Sequence, residues 1–396
     1  MNVAQISRHV HYIGVNDRTL HRFESLWPLP LGVSYNSYLV TGGDKIAVID
    51  GVEAGHALKQ IEHINRLTDG RAPDYLVINH MEPDHSGAIS LLLNAYPDMV
   101  IVGNTQTVNM VAGYYGIEAP TMTVKDGDTL PLGGDVALSF HFTPMVHWPE
   151  TMMTFLACDG VLFSGDGFGC FGALNGAVVD TDMDATRYFP EMIRYYSAIV
   201  GKYGRFVQRA LTKLKSLEIS TLASTHGPVW RERMREVGAY YDRMSRYEPF
   251  DNGVTIVYGS MYGNTELMVE EAAATLAARG VKDIAVHNAA ISDLSYILAD
   301  IFTHKGLIIA SPTYSETLFP PIKSVVDALV TRGMKDRVTG LIGGHTWAPQ
   351  AVKVMDALLQ DTGMEIVSGS VSFKQAPSQD ALAAVRELAS AIADRL

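Results

Sequence analysis

Cysteine is almost missing from this chain. Two in 396 residues exclude a disulfide scaffold and a zinc or iron–sulfur site built on thiolates. Long apolar runs are missing too: nothing approaches the roughly 18 uninterrupted apolar residues of a membrane helix, so no membrane role is expected. The opening segment, MNVAQISRHVHYIGVND, lacks the basic start and apolar centre of a secretory signal. Positive charge is in deficit, with 31 Lys and Arg against 43 Asp and Glu and a formal net charge of −12. General nucleic-acid binding is therefore excluded, because phosphates need cations to meet them. There is no low-complexity tract and no repeat with a period of about 20–50 residues. What is present is 47% hydrophobic residues in a chain too long for one ordinary domain. The expectation is a cytoplasmic protein of more than one domain.

Pro249 and Asn252-Gly253 break the pattern just ahead of an apolar strand, which sets a boundary near 250. Both sides of it are acidic, and the patterns separate them. Residues 251–396 alternate strands at 254–258, 284–287, 307–310, 338–342 and 366–371 with helices at 266–278, 294–302, 322–329, 351–359 and 379–396. Gly280 suits a helix end and Ser292-Asp293 a helix start. Five alternations predict an α/β doubly wound parallel sheet. In residues 1–250 strands dominate, at 37–41, 46–50, 75–78, 99–102, 137–142, 153–157 and 161–164. Helices enter at 54–67, 89–95, 105–114, 191–200 and 205–217, as in a sandwich of two sheets with helices outside, αββα.

The run Tyr75-Leu-Val-Ile-Asn-His80-Met-Glu82-Pro-Asp84-His85 carries an apolar strand straight into two histidines and two carboxylates. Pro83 forbids a helix interior, so these residues are expected on a loop at a strand's end. His147, Asp166 and His226 stand in comparable places, each after an apolar run and beside Gly or Pro. Any one of them alone reads as an ordinary polar loop residue. Four imidazoles and three carboxylates crowded together would strand buried charge unless a cation joined them.

This pattern resembles the metallo-β-lactamase fold, whose loop motif is H-x-H-x-D-H. Here Glu82 replaces the second histidine, giving H-x-E-x-D-H. A set of four nitrogens and three carboxylates suits a non-haem iron pair better than zinc. Asp166 would bridge, and each metal would take two histidines and one terminal carboxylate. The segment Gly165–Gly176 beside Asp166 is expected to be a structural loop, with substrate access as its other reading.

In the second half, Val254–Tyr258 meets a helix start through Gly-Ser260-Met261-Tyr262-Gly263-Asn264-Thr265. Backbone N–H groups there favour an anion. The loop has no Lys or Arg and matches neither the P-loop nor the dinucleotide motif. Ser260, Asn264 and Thr265 would hold a terminal phosphate by hydrogen bonds alone, as the flavodoxin fold does for FMN. The loops Ser311-Pro312-Thr313-Tyr314 and Gly344-His345-Thr346-Trp347 follow the third and fourth strands on the same edge. Trp347 is expected to cover one face of the flavin ring, with Tyr314 a second candidate. The alternative for Trp347 is packing on the helix that follows.

Together the two motif sets resemble the flavodiiron proteins (A-type flavoproteins), of the rubredoxin:oxygen oxidoreductase type, over nearly the whole chain. The resemblance implies two non-haem Fe ions on His80, Glu82, Asp84, His85, His147, Asp166 and His226, and FMN in the second domain. It also implies reduction of O2 to water or of NO to N2O, and a head-to-tail homodimer that sets one subunit's flavin beside its partner's irons. Without a CxxC-containing rubredoxin module, electrons are expected from a separate donor, rubredoxin or a reduced deazaflavin. An excess of Lys and Arg over 202–246, including Arg231, Arg233 and Arg235, is a candidate docking face for an acidic carrier. Two other classes stand beside this reading: a zinc hydrolase with a fused flavodoxin-like domain, and a flavin-binding electron carrier with an inactive first domain.

Overall fold

The computed structural model describes residues 3–396. It divides into two compact units, one of Met1–Tyr196 with Arg205–Asp242 and one of Ser197–Gly204 with Arg243–Leu396. The division is not made at a single point near 250. Two helical stretches, Gly204–Leu214 and Met234–Arg246, run across it.

In the first unit a seven-stranded sheet is ordered Ala4–Gln5, Val10–Tyr12, Tyr38–Thr41, Ile46–Ile49, Tyr75–Val77, Val100–Gly103, Thr121–Thr123. It is antiparallel up to Ile46–Ile49 and parallel beyond it. Ile46–Ile49 is buried at every position, as an unbroken apolar run between two neighbours requires. A five-stranded sheet follows, ordered Thr129–Gly133, Val136–Phe142, Met152–Leu156, Val161–Gly165, Thr221–Ser224. The sheets face each other: Tyr38 Oη donates to the Ser224 carbonyl at 2.6 Å, and its ring lies 5.3 Å from that of Phe163. All seven strands and five helices expected in this half are present, with ends shifted by a few residues. The short strands at both edges and the helix Met234–Arg246 are additional. The helix Thr105–Tyr115 shows why the boundaries form. Asn104 accepts the Thr107 N–H at one end, and Gly116, at φ 60°, stops the other.

The second unit is a parallel sheet ordered Ile284–Asn288, Asp251–Tyr258, His304–Tyr314, Lys335–His345, Gly363–Ile366, with Val371–Lys374 also on Lys335–His345. In chain order this is 2-1-3-4-5, the flavodoxin-like winding. The fifth strand expected as one run at 366–371 is two short pieces around Gly369, whose φ of 99° breaks it. Asp293 caps Leu294–Thr303 by accepting the Ser295 N–H, and Gly280 follows Asn264–Ala278 at φ 92°.

Candidate binuclear metal centre and flavin cavity

The strand connections decide where the metal donors fall. Val136–Phe142 runs antiparallel to Met152–Leu156, and Val161–Gly165 antiparallel to that in turn, while Thr221–Ser224 is parallel to Val161–Gly165. The loops carrying His147, Asp166 and His226 therefore leave the second sheet at one edge. His80–His85 leaves Tyr75–Val77 of the facing sheet.

The loop expected across Pro83 is only partly a loop. Pro83–Ser86 is a helical turn with Pro83 in its first position, where a missing N–H costs nothing. His80 and Glu82 precede the turn, and Asp84 and His85 ride on it. Gly227, at φ 77°, could carry no side chain, since a Cβ there would sit 2.1 Å from Cys170 Sγ. The neighbouring chain is thereby locked beside His226. Gly165–Gly176 is largely internal, with Phe171 packed edge-on against Phe23 and Tyr195 at 5.5 and 5.1 Å. Its structural reading stands.

All seven donors converge, in two groups. His80, Glu82, His147 and Asp166 present ligand atoms within 4.8 Å of one another, as do Asp84, His85 and His226. Asp166 joins the groups. Its Oδ2 lies 3.1 Å from His147 Nε2 and 3.6 Å from His80 Nε2, and its Oδ1 lies 2.8 Å from His85 Nε2 and 3.6 Å from His226 Nε2. Glu82 Oε2 closes the first group at 3.3 Å from His80 and 3.1 Å from His147. Asp84 Oδ2 closes the second at 3.3 Å from His85 and 3.2 Å from His226.

Neighbours fix the orientation of these groups. His80 Nδ1 sits 2.8 Å from Glu150 Oε1, which also accepts the Met81 N–H. His226 Nδ1 sits 2.7 Å from the Ser34 carbonyl. Both contacts turn the Nε2 atoms inward, as outer partners of metal-bound histidines do. Thr225 donates its hydroxyl to Asp166 Oδ1 at 2.6 Å.

The electrostatics call for cations. Burial alone would raise the Asp166 carboxyl, yet His85, His147 and His80 hold it well below the usual range. Burial would likewise lower the imidazoles, but the carboxylates push His85 and His147 up to about 9. Protons thus stand where metal charge would serve. Both oxygens of Asp84, Nδ1 of His85 and Nε2 of His226 are buried without a hydrogen-bond partner. Orphaned donors of this kind, converging on one bridging carboxylate, fit two metal ions.

A cavity lined by Leu20, Arg22, Phe23, Glu24, Ser25, Tyr35 and Tyr115 reaches Glu82 and Asp84. Burial and the Glu82 carboxylate push Glu24 up to about 7, and Trp27 Nε1 donates to it at 3.0 Å. Glu24, Ser34, Glu150 and Thr225 are absent from the sequence-based set. Only Thr225 and Glu150 sit near a motif, the first beside His226 and the second in the loop of His147.

In the second unit a cavity at the strands' carboxyl ends is lined by Ser260, Met261, Tyr262, Asn264, Thr265, Pro312, Thr313, Gly344, His345 and Thr346, with Phe373 and Gln375. The last two were not expected. They enter because Val371–Lys374 pairs with Lys335–His345. Gly344 admits Phe373, whose ring would stand 2.8 Å from a Cβ there. Gly263, Ser311, Tyr314 and Trp347 do not line the cavity. Ser311 is buried and bonds Pro312 and Phe319. Gly263 shapes the loop at φ 89°, its N–H bonding Ser260 Oγ at 3.0 Å. Trp347 is 83% and Tyr262 90% exposed, so Trp347 is not packed on the helix after it. An exposed aromatic, Tyr262, lining a cleft over a helix N-terminus fits a flat, phosphate-bearing ligand.

A lactamase-like unit with donors for two bridged metals, joined in one chain to a flavodoxin-like unit, defines a class of flavin-linked binuclear metalloproteins. The ODP family beta lactamase model matches residues 33–227 and the flavodoxin model residues 256–388. The anaerobic nitric oxide reductase flavorubredoxin of Escherichia coli O1:K1 / APEC is 32% identical over 387 residues, 96% of this chain and 80% of that protein. Rubredoxin oxygen:oxidoreductase from Desulfovibrio gigas superposes with a TM-score of 0.94 at 25% identity, over 100% of this chain and 98% of that one. The flavodiiron protein from Giardia intestinalis gives 0.93 at 25%, over 99% and 97%. The chain belongs to the flavodiiron protein family, and the relatives from Escherichia coli and Desulfovibrio gigas are named as oxidoreductases, so the hydrolase alternative is not favoured.

Proposed function

We propose that this protein is a flavodiiron oxidoreductase that reduces O2 to water, NO to N2O, or both. Two non-haem irons would be held by His80, Glu82 and His147 on one side and by Asp84, His85 and His226 on the other, with Asp166 between. FMN would occupy the cavity of the second unit. When bound, two ferrous ions and a reduced flavin together carry the four electrons that turn O2 into two waters, and two of these suffice for two NO.

The observation that carries this reading is Asp166, whose two carboxylate oxygens face different trios of donors. Glu150 and the Ser34 carbonyl aim His80 and His226. Phe23, Tyr35 and Tyr195 wall the His226 side with rings at 5.3 to 5.9 Å. A small uncharged molecule fits the cavity that ends at Glu82 and Asp84.

The electron donor is of the rubredoxin kind, with a reduced deazaflavin as the other candidate. The working form is a cytoplasmic head-to-tail homodimer. Within the basic segment, Arg231 bonds the Ile6 carbonyl and Arg233 bonds Glu236, so both are engaged in the fold. Arg235 is exposed and is the better contact for an acidic carrier.

Anaerobic mixing of the reduced protein with O2 or NO tests the reading. Rapid reoxidation, with water or N2O as product, is expected. Slow reoxidation that releases peroxide would mark a flavin-binding carrier instead.

A further inference from the structure

At the edge of the flavodoxin-like sheet opposite the flavin loops, three strand starts meet. The order Ile284–Asn288, Asp251–Tyr258, His304–Tyr314 places Asp283, one residue ahead of the first, beside Asp251 and His304, which open the other two. Asp251 and His304 are register partners, and the Val254 N–H donates to the Asp283 carbonyl at 2.9 Å.

His304 is 3% exposed. Its Nδ1 lies 2.9 Å from the buried hydroxyl of Thr255, which fixes the ring and leaves Nε2 aimed at the two carboxylates. The distances to them are 3.5 Å to Asp283 Oδ2 and 4.0 Å to Asp251 Oδ1, beyond hydrogen-bonding range. The three ligand atoms lie within 4.8 Å of one another. The Gly253 N–H donates to Asp251 Oδ1 at 2.8 Å and orients it. A Cβ at Gly253 would stand 2.6 Å from His304 Cδ2, so only glycine lets these groups come this close.

We propose that Asp251, Asp283 and His304 form a third cation site, for a divalent ion of the zinc class, outside the binuclear centre. Ligands at about 2.0–2.2 Å around a tetrahedral ion stand roughly 3.3–3.5 Å apart. The two histidine distances therefore need to close by about 0.5 Å or less, and the carboxylate pair, within 4.8 Å, by about 1.5 Å at most. An imidazole donor selects a transition ion over Ca2+ or Mg2+, which take all-oxygen shells. The Nδ1–Thr255 contact is the outer partner that such a histidine requires. A cavity of about 500 Å3 bordered by Asp251, Gly253 and Asp283, and also by Lys282 and by Arg279, which pairs with Asp394, gives water room to complete the shell. An ion there ties the edge strand to its two neighbours.

The test is titration of the iron- and FMN-loaded full chain with ZnCl2, followed by calorimetry and by metal analysis after gel filtration. Asp283→Asn and His304→Gln are the variants. The Asp283 side chain is 66% exposed, so its replacement leaves the core intact. One equivalent of Zn2+ retained with iron content unchanged, and affinity at least about tenfold weaker in both variants, is the expected result. Co2+ should give tetrahedral visible bands in the parent protein only. Absence of saturable binding, equal binding by both variants, or zinc gained only as iron is lost would overturn the proposal.

Discussion

In the lactamase-like unit the chemistry sits on side chains. All the donors but Asp84 are buried, and His80, His226 and Asp166 are aimed by Glu150, the Ser34 carbonyl and Thr225. The flavodoxin-like unit does the reverse. Its cavity is lined by loop residues that include hydroxyls and Gly344, with Tyr262 exposed on its wall and Trp347 exposed beside the lining residue Thr346. A metal pair needs fixed charge in a dry place, where each lost ligand is costly. A phosphate and a flat ring can be held by N–H groups and stacking, where each contact adds little. Substitutions should therefore act steeply in the first unit and shallowly in the second.

The steepest effect is expected at Asp166. Asp166→Asn should leave the protein unable to hold both metals and lower gas reduction by at least about 100-fold, with FMN content unchanged. Metal and flavin analysis of the purified variant, beside turnover, checks this. Glu150→Gln comes next. It removes charge behind His80 without touching a metal, and should weaken iron retention against a chelator by roughly 10–100-fold.

Removing the irons should change how stability depends on pH. The carboxylates push His85 and His147 up to about 9 against the lowering effect of burial. The stability so gained is complete below the unfolded value of 6.5 and is lost as pH rises through about 9. Thermal unfolding of iron-free protein should therefore fall in temperature between pH 6.5 and 9, while the iron-loaded protein, whose imidazoles are neutral ligands, should vary less. The shallowest effect belongs to the flavin side. Tyr262→Ala, which removes the exposed aromatic that lines the cavity, should weaken FMN binding by about 2–10-fold and leave iron content alone. A loss of iron in that variant would break the contrast between the units.

Much of this was legible in the sequence for the same reason. Metal chemistry dictates residue types, so His80, Glu82, Asp84, His85, His147, Asp166 and His226 stand out and converge as a set. Glu150, Ser34 and Glu24 did not stand out, because a partner behind a ligand is chosen by three-dimensional reach and Ser34 contributes only its carbonyl. On the flavin side the loops were legible and several individual contacts were not. Ser311 turns inward to Phe319, and Phe373 and Gln375 arrive through a strand that Gly369 splits. Pro83 misled in a smaller way, since a residue barred from helix interiors is at ease in a first turn.

The central claim, one carboxylate joining two irons, is tested most directly by Mössbauer spectroscopy of the oxidised protein with metal quantitation. The account predicts two ferric ions per chain, coupled into a diamagnetic pair, and loss of that coupling in Asp166→Asn. A single iron per chain, or two that behave as isolated paramagnets in the parent protein, would contradict it.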